Sequence, residues 1–371
     1  MTYRLTRTCG VVRPVSPARG PARISITRLL RFVPLVGVLA VGASACANDA
    51  PSTEIGTTAS PAPPAPTSTR GTAAPPTSSS VTVAWSAAPS LLRPRSAHGV
   101  VAAAGALWAI GGTGEDRAPV LQIERFDGVA WTEATTLPGS GVNAPSVAAL
   151  GGRIYVIGGF AGTTNQPTND VRVYDVASST WTAAAPLPTA SGGHAAVVLD
   201  GRIHVIGGGT SSATIADHVV YDPTSDTWTN AAPLPRPEGS PAAVVLDGRL
   251  WAIGGRSGRD DFGDVYIYDP ATDSWSRGPS IQPRGTAGAV VSCGTILLVG
   301  GERQSDSTVL ADTLILSGGT WTRAQPMPTA RSFARAVVLD DTVYVVGGST
   351  RYGQSHASSG SNTVEKAAAT C

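Results

Sequence analysis

The sequence predicts an all-β fold in which six similar four-stranded sheets stand around one axis, a six-bladed β-propeller. Three observations predict it. A glycine doublet closes a short apolar run six times, at Gly111-Gly112, Gly158-Gly159, Gly207-Gly208, Gly254-Gly255, Gly300-Gly301 and Gly347-Gly348, with spacings of 47, 49, 47, 46 and 47 residues. A tryptophan follows each of the first five after about 21 residues: Trp131, Trp181, Trp228, Trp275 and Trp321. Between doublet and tryptophan lies an alternating segment such as Val171–Asp175 or Val265–Asp269, and another, such as Ala195–Leu199, precedes each doublet. A unit of this period cannot bury both faces of its own sheet, so it must stack on copies of itself.

Each repeat is expected to give four strands, A to D from the axis outward. Strand A is the apolar run before the hairpin, and Asp200-Gly201 or Asp247-Gly248 makes the tight A–B turn. Strand B ends in the doublet, where the lack of side chains permits unusual dihedrals and close approach by a neighbouring blade. Strand C carries Tyr-Asp, as at Tyr174-Asp175 and Tyr268-Asp269, and strand D the tryptophan, which fills the wedge between blades. The ends explain closure. Trp85 precedes the first doublet with no A, B or C strand before it, whereas the last unit has strands A and B, a C strand over residues 362–366, and then stops. Residues 81–87 are therefore expected to supply strand D of the sixth blade, leaving only short edges in the ring.

Doublet, Tyr-Asp and tryptophan recurring together at one period resemble the kelch repeat, over about residues 81–371. The resemblance implies that the D–A and B–C loops meet on one face around the pore mouth. It implies also that this face binds the partner: a protein, a peptide or a glycan. A ring closed by its own ends is expected to act as a monomer.

Glycine (43) and proline (29) are abundant and charged residues make up only 14%, a balance suited to short strands and tight turns. Lys366 is the single lysine beside 26 arginines, a skew that reads as coding bias. Residues 1–45 hold seven arginines and no acid, which leaves 20 basic against 26 acidic side chains beyond them, a formal charge of −6. Phosphate binding needs a clustered positive surface, so nucleic acid is excluded as a partner.

The apolar run at residues 32–45 has 14 residues, too few to span a bilayer core of roughly 20 helical residues but suited to the apolar region of an export signal. Small residues lead into Cys46 as Ala43-Ser44-Ala45-Cys46. This resembles the bacterial lipoprotein signal, which implies cleavage before Cys46, its acylation, and residence at the outer face of the membrane. Ala43 stands where that pattern usually has leucine, and a plain secretory signal cut after Ala45 is the alternative. Residues 46–80 then form a lipidated cysteine and a Pro/Ser/Thr-rich tether, too poor in large apolar side chains to offset its ordering entropy.

Aligning the repeats by their doublets places Arg95, Val142, Ser191, Glu238, Arg284 and Arg331 sixteen residues upstream. The three arginines fall in consecutive blades once the ring closes. Arg335 enters strand A nearby, and the B–C loops add Arg303 and Arg351. Such a cluster at a pore mouth suits a carboxylate or sulfate, which guanidinium grips in a bidentate way; the alternative is that these arginines bond neighbouring loops. Glu238 is the one acid to test as a catalytic base. His98 and His194 occupy the same repeat position in blades that do not touch, so they read as loop or pore histidines, and His204 as packing. Charged residues 256–261 read as a solvated loop. Cys293 and Cys371 either pair, pinning the closing strand, or stay free. No Cys/His set has metal-ligand spacing, and no cofactor is expected.

The function expected is a membrane-anchored binding module acting through its loop face on an acidic ligand or a protein. Two alternatives stand beside it. One is a carbohydrate-active enzyme: in fold, size and export the chain resembles the bacterial N-acetylneuraminate epimerases, which act on an acidic sugar. That likeness rests on fold alone. The other is a structural component of the envelope. The kelch repeats of galactose oxidase offer no match, since its copper site needs a tyrosine–cysteine crosslink and a histidine set that this sequence lacks.

Overall fold

Runs of five residues with apolar side chains on both faces, joined by two-residue turns, fold as tight antiparallel hairpins. At the A–B turns both central residues adopt positive φ: 50° and 72° at Asp200 and Gly201, 51° and 69° at Asp247 and Gly248. This backbone matches the right-handed twist of the flanking strands. The computed structural model describes residues 81–114, 117–162, 164–353 and 360–370, and the leader and tether expected over residues 1–80 lie outside them. Among the described residues there is no α-helix, and the strands assemble into six four-stranded antiparallel sheets.

Five sheets are built from consecutive strands. Blade one holds strands A to D at Gly99–Ala103, Ala106–Ile110, Gln122–Phe126 and Trp131–Thr136. Blade six takes Arg335–Leu339, Thr342–Val346 and Val364–Thr370 from the C-terminal end and Thr82–Ala88 from the N-terminal end. The closing strand pairs in continuous register, with Trp85 opposite Ala367. Strand C thus runs beyond the expected residues 362–366, because it is hydrogen-bonded along both edges.

The apolar residues sort into wedges between blades. One cluster joins blades five and six through Trp85, Leu297, Ile315 and Val345; the next joins blades six and one through Leu107, Phe126, Trp131, Tyr344 and Val346. Four more clusters fill the remaining seams. Burying each Leu, Ile or Phe side chain contributes roughly 1.5–3 kcal/mol, so the seams hold the blades together. The tryptophans add a directional bond at the outer rim. Trp131, Trp228, Trp275 and Trp321 donate Nε1–H to the carbonyls of Pro89, Ala185, Ala232 and Pro279 in the preceding blade, at 2.7–2.9 Å. Trp85 does the same toward Gln325 at 3.1 Å, so the composite seam is made like those four, whereas Trp181 Nε1 is buried without a partner among the described residues.

An inner ring of bonds sets how closely the blades approach. The second glycine of each doublet donates its N–H to the carbonyl of the residue sixteen before the next doublet: Gly112 to Val142, Gly159 to Ser191, Gly208 to Glu238, Gly255 to Arg284, Gly301 to Arg331, and Gly348 back to Arg95, all at 2.8–3.0 Å. A Cβ on Gly207 would lie 2.3 Å from the Glu238 carbonyl oxygen. No side chain fits there.

Cys293 occupies the A–B turn of blade five at φ 52° and is disulfide-bonded. Cys371 lies outside the described residues.

Candidate functional site

The loop face grows from a second ring, two residues further along the chain. Ala97, Ala144, Gly193, Ser240, Thr286 and Phe333, fourteen before each doublet, all take positive φ between 48° and 64°. Ala144, Gly193, Ser240, Thr286 and Phe333 each donate a backbone N–H to the preceding member's carbonyl, at 2.6–3.2 Å. These bonds gather the D–A loops around the axis. B–C loop residues stand over them, and the two sets enclose a recess of about 250 Å³ lined by Asn143, Phe160, Asn165, Ser240, Arg256 and Phe333. The Arg256 guanidinium lies 5.2 Å from the centroid of Phe333 and gives Nη1 to Glu302 Oε1 at 2.5 Å. Asn143 Oδ1 is buried and has no partner among the described residues.

Arg95, Arg284 and Arg331, expected at the pore mouth, sit elsewhere. Each is at most 1% exposed. Its main-chain carbonyl serves the doublet of the preceding blade, while its side chain turns under its own blade. Arg95 binds the carbonyls of Ala109, Gly111 and Gln122 and pairs with Glu124 at 2.5 Å. Arg331 binds Gly347 and Thr363 and pairs with Glu365 at 2.6 Å. Arg284 binds Gly300 and grips Asp312 through two bonds of 2.6 and 3.0 Å. Their terminal amino groups are spent on carbonyls and carboxylates of the fold, while Nε of Arg95 and of Arg331 is buried without a partner among the described residues. They clamp each D–A loop to its blade.

Blade four inverts this clamp. Glu238 holds the equivalent position, fully buried, and accepts from Arg236 at 3.0 Å. Arg236 reaches on to Asp264 at 2.7 Å and lies 3.3 Å from the Phe262 ring centroid. Burial pushes the Glu238 carboxyl up to about 7 against the pull of Arg236. Its side chain does not line the recess, so its environment is that of an enclosed strut.

The other three arginines separate. Arg303 pairs with Asp306 at 2.7 Å across its own hairpin. Arg351 is exposed, its carbonyl accepting from Ser349 Oγ. Arg335 alone lines the central channel. The histidines are interior groups. His194 Nδ1 lies 2.6 Å from Ser146 Oγ, and burial holds its pKa near 4. His98 is fully buried and held well below its ordinary value by desolvation and then by Arg95, Arg335 and Arg331. His204 packs between blades three and four, 2.9 Å from His218, and burial lowers it to about 4. Among the described residues no group of three His, Cys, Asp or Glu side chains converges as a metal site would require.

Sequence reasoning missed Asn143, Phe160, Arg256 and Phe333. Arg256 lay in a loop read as solvated. The one signal was Phe333, a large apolar residue at a repeat position that elsewhere holds Ala, Gly, Ser or Thr.

A family model described as the Attractin/LZTR1 beta-propeller matches residues 154–369. The chain is 36% identical over 124 residues to N-acetylneuraminate epimerase from Pasteurella multocida, a match covering 30% of this chain and 32% of that protein. It is 34% identical over 126 residues to mouse Kelch-like protein 35, covering 33% of this chain and 21% of the relative. The matches thus span about a third or less of those relatives' lengths. The solved structure of YjhT superposes with a TM-score of 0.64 at 16% identity, covering 75% of this chain and 95% of the other; this shows the fold.

Breaking a clamp should be costly. Arg331→Ala leaves the Glu365 carboxylate buried without its partner and should destabilise the protein by about 3–5 kcal/mol. Replacing both members by methionine should recover most of that loss. Denaturant melts check both; an Arg331→Ala variant as stable as the parent would return this residue to the ligand-binding candidates.

Proposed function

Given that the chain belongs to the Attractin/LZTR1 β-propeller family, we propose that it is a binding module whose loop-face recess takes an acidic sugar. The carrying observation is the recess itself. Two aromatic side chains, half-buried Phe160 and buried Phe333, line it as an apolar wall for a sugar ring, and Arg256, already paired with Glu302, stands beside Phe333 with its remaining donors. The buried Asn143 amide oxygen lacks a partner that a sugar hydroxyl or amide N–H would give. One relative is named for an acidic sugar, N-acetylneuraminate, which makes that compound the first probe.

The module is exported and held at the outer face of a membrane through acylated Cys46, with residues 47–80 as tether. The leader and the small residues before Cys46 support this, as does the disulfide at Cys293, since such bonds persist in oxidising compartments. Cys371 is the proposed partner of Cys293. Replacing Cys46 by alanine should move the protein from the membrane fraction to the soluble one; continued membrane association would rule out the anchor.

Binding is measured by calorimetric titration of N-acetylneuraminate. Phe160→Ala and Asn143→Ala should each weaken it by about tenfold, equivalent to 1.4 kcal/mol, without touching any arginine clamp. Parental affinity in both variants would remove the recess as the binding site. Conversion of the sugar during the titration would make the protein an enzyme on that ligand.

A further inference from the structure

The first residue of each strand A borders the central channel. In blades one to five this position holds Gly99, Ser146, Ala195, Ala242 and Gly288; in blade six it holds Arg335. Five small residues leave a cavity of about 120 Å³ on the axis, and one large cation enters it. The rest of the lining is glycine, alanine, valine, proline, Ser146 and His194, with no carboxylate. Arg335 donates Nε–H to the His98 carbonyl at 2.8 Å, which fixes the plane of its fork. Its terminal amino groups meet no protein acceptor, and no carboxylate lies within ion-pair distance among the described residues.

This is the reverse of how the fold treats its other interior arginines. Arg95, Arg284 and Arg331 are each neutralised by a carboxylate. Arg335 is half-buried and presents its terminal amino groups to the channel without a carboxylate beside them among the described residues; partial desolvation by the apolar walls lowers its pKa to about 10. The neighbouring histidines do not compete for an anion's place. His98 and His194 are held neutral by burial, with Arg335 among the charges acting on both.

We propose that the central channel is a small-anion site, with the Arg335 guanidinium as its charge and a halide, formate or sulfate-sized anion as its occupant. A bidentate oxyanion fits a fork whose Nε is already used. The site goes beyond the sugar-binding reading, which does not involve Arg335.

The test uses the full chain in detergent. Melting temperature is followed against sodium formate and against sodium bromide, in the parent, Arg335→Gln and Arg335→Lys. The parent should gain roughly 2–4 °C once the anion exceeds its dissociation constant about tenfold. Arg335→Gln should lose that saturable gain, and Arg335→Lys should retain it for bromide more than for formate, because lysine keeps the charge but not the fork. Crystals soaked in bromide should show anomalous density beside Arg335 in the parent and none there in Arg335→Gln. Identical melting gains in parent and Arg335→Gln, or no bromide at the channel in the parent, overturns the proposal. Loss of N-acetylneuraminate binding with bromide still at Arg335 would sink the sugar reading alone.

Discussion

The structure depends on one close approach: the second glycine N–H of each doublet against the carbonyl of the next blade's D–A loop. Six such bonds, repeated around the axis at 2.8–3.0 Å, set the distance between sheets. The space for the side-chain wedges follows from that distance. So does the ring of positive-φ residues directly above, since a loop held by its carbonyl at one residue must reverse direction within the next two. Closure by the N-terminal strand is the same interaction made once more, with Gly348 reaching Arg95.

The position that accepts these bonds also explains the arginines. Its main chain is committed to the preceding blade, so its side chain is directed beneath its own blade, toward the carbonyl of that blade's own doublet. A guanidinium there satisfies carbonyls that strands B and C leave open, and a nearby acid neutralises it. Blade four keeps only the ion pair, with acid and base exchanged: Glu238 accepts from Arg236, and a carboxylate donates nothing to the doublet carbonyl. Arg335, four residues beyond Arg331, escapes this arrangement because it starts a strand rather than ends a loop. Its side chain lines the central channel and bonds the His98 carbonyl of blade one.

Whatever recurs at the repeat period was legible in the sequence: the doublets, the tryptophans, the A–B turns, and the composite blade inferred from Trp85 lacking its own unit. Site chemistry does not recur, and there the reading was weaker. The acids that neutralise Arg95, Arg284 and Arg331 stand 13, 12 and 18 residues after the first glycine of their doublets, so no fixed spacing announces the pairing. Side-chain direction at that position follows from φ in the D–A loop, which residue identity does not reveal. The recess draws on Phe160 and Arg256 from B–C loops that vary in length and composition between blades. Arg335 was picked out, but among five others of a different kind.

Contact between blades, rather than backbone conformation alone, requires the doublets. Gly201 and Gly207 separate the two effects. Both have positive φ, 72° and 64°, but a Cβ on Gly201 meets open space, whereas one on Gly207 meets the Glu238 backbone. Equilibrium unfolding of Gly201→Ala and Gly207→Ala should show a cost of about 1 kcal/mol for the first, and at least about 2 kcal/mol more for the second. Equal costs for the two variants would contradict the account.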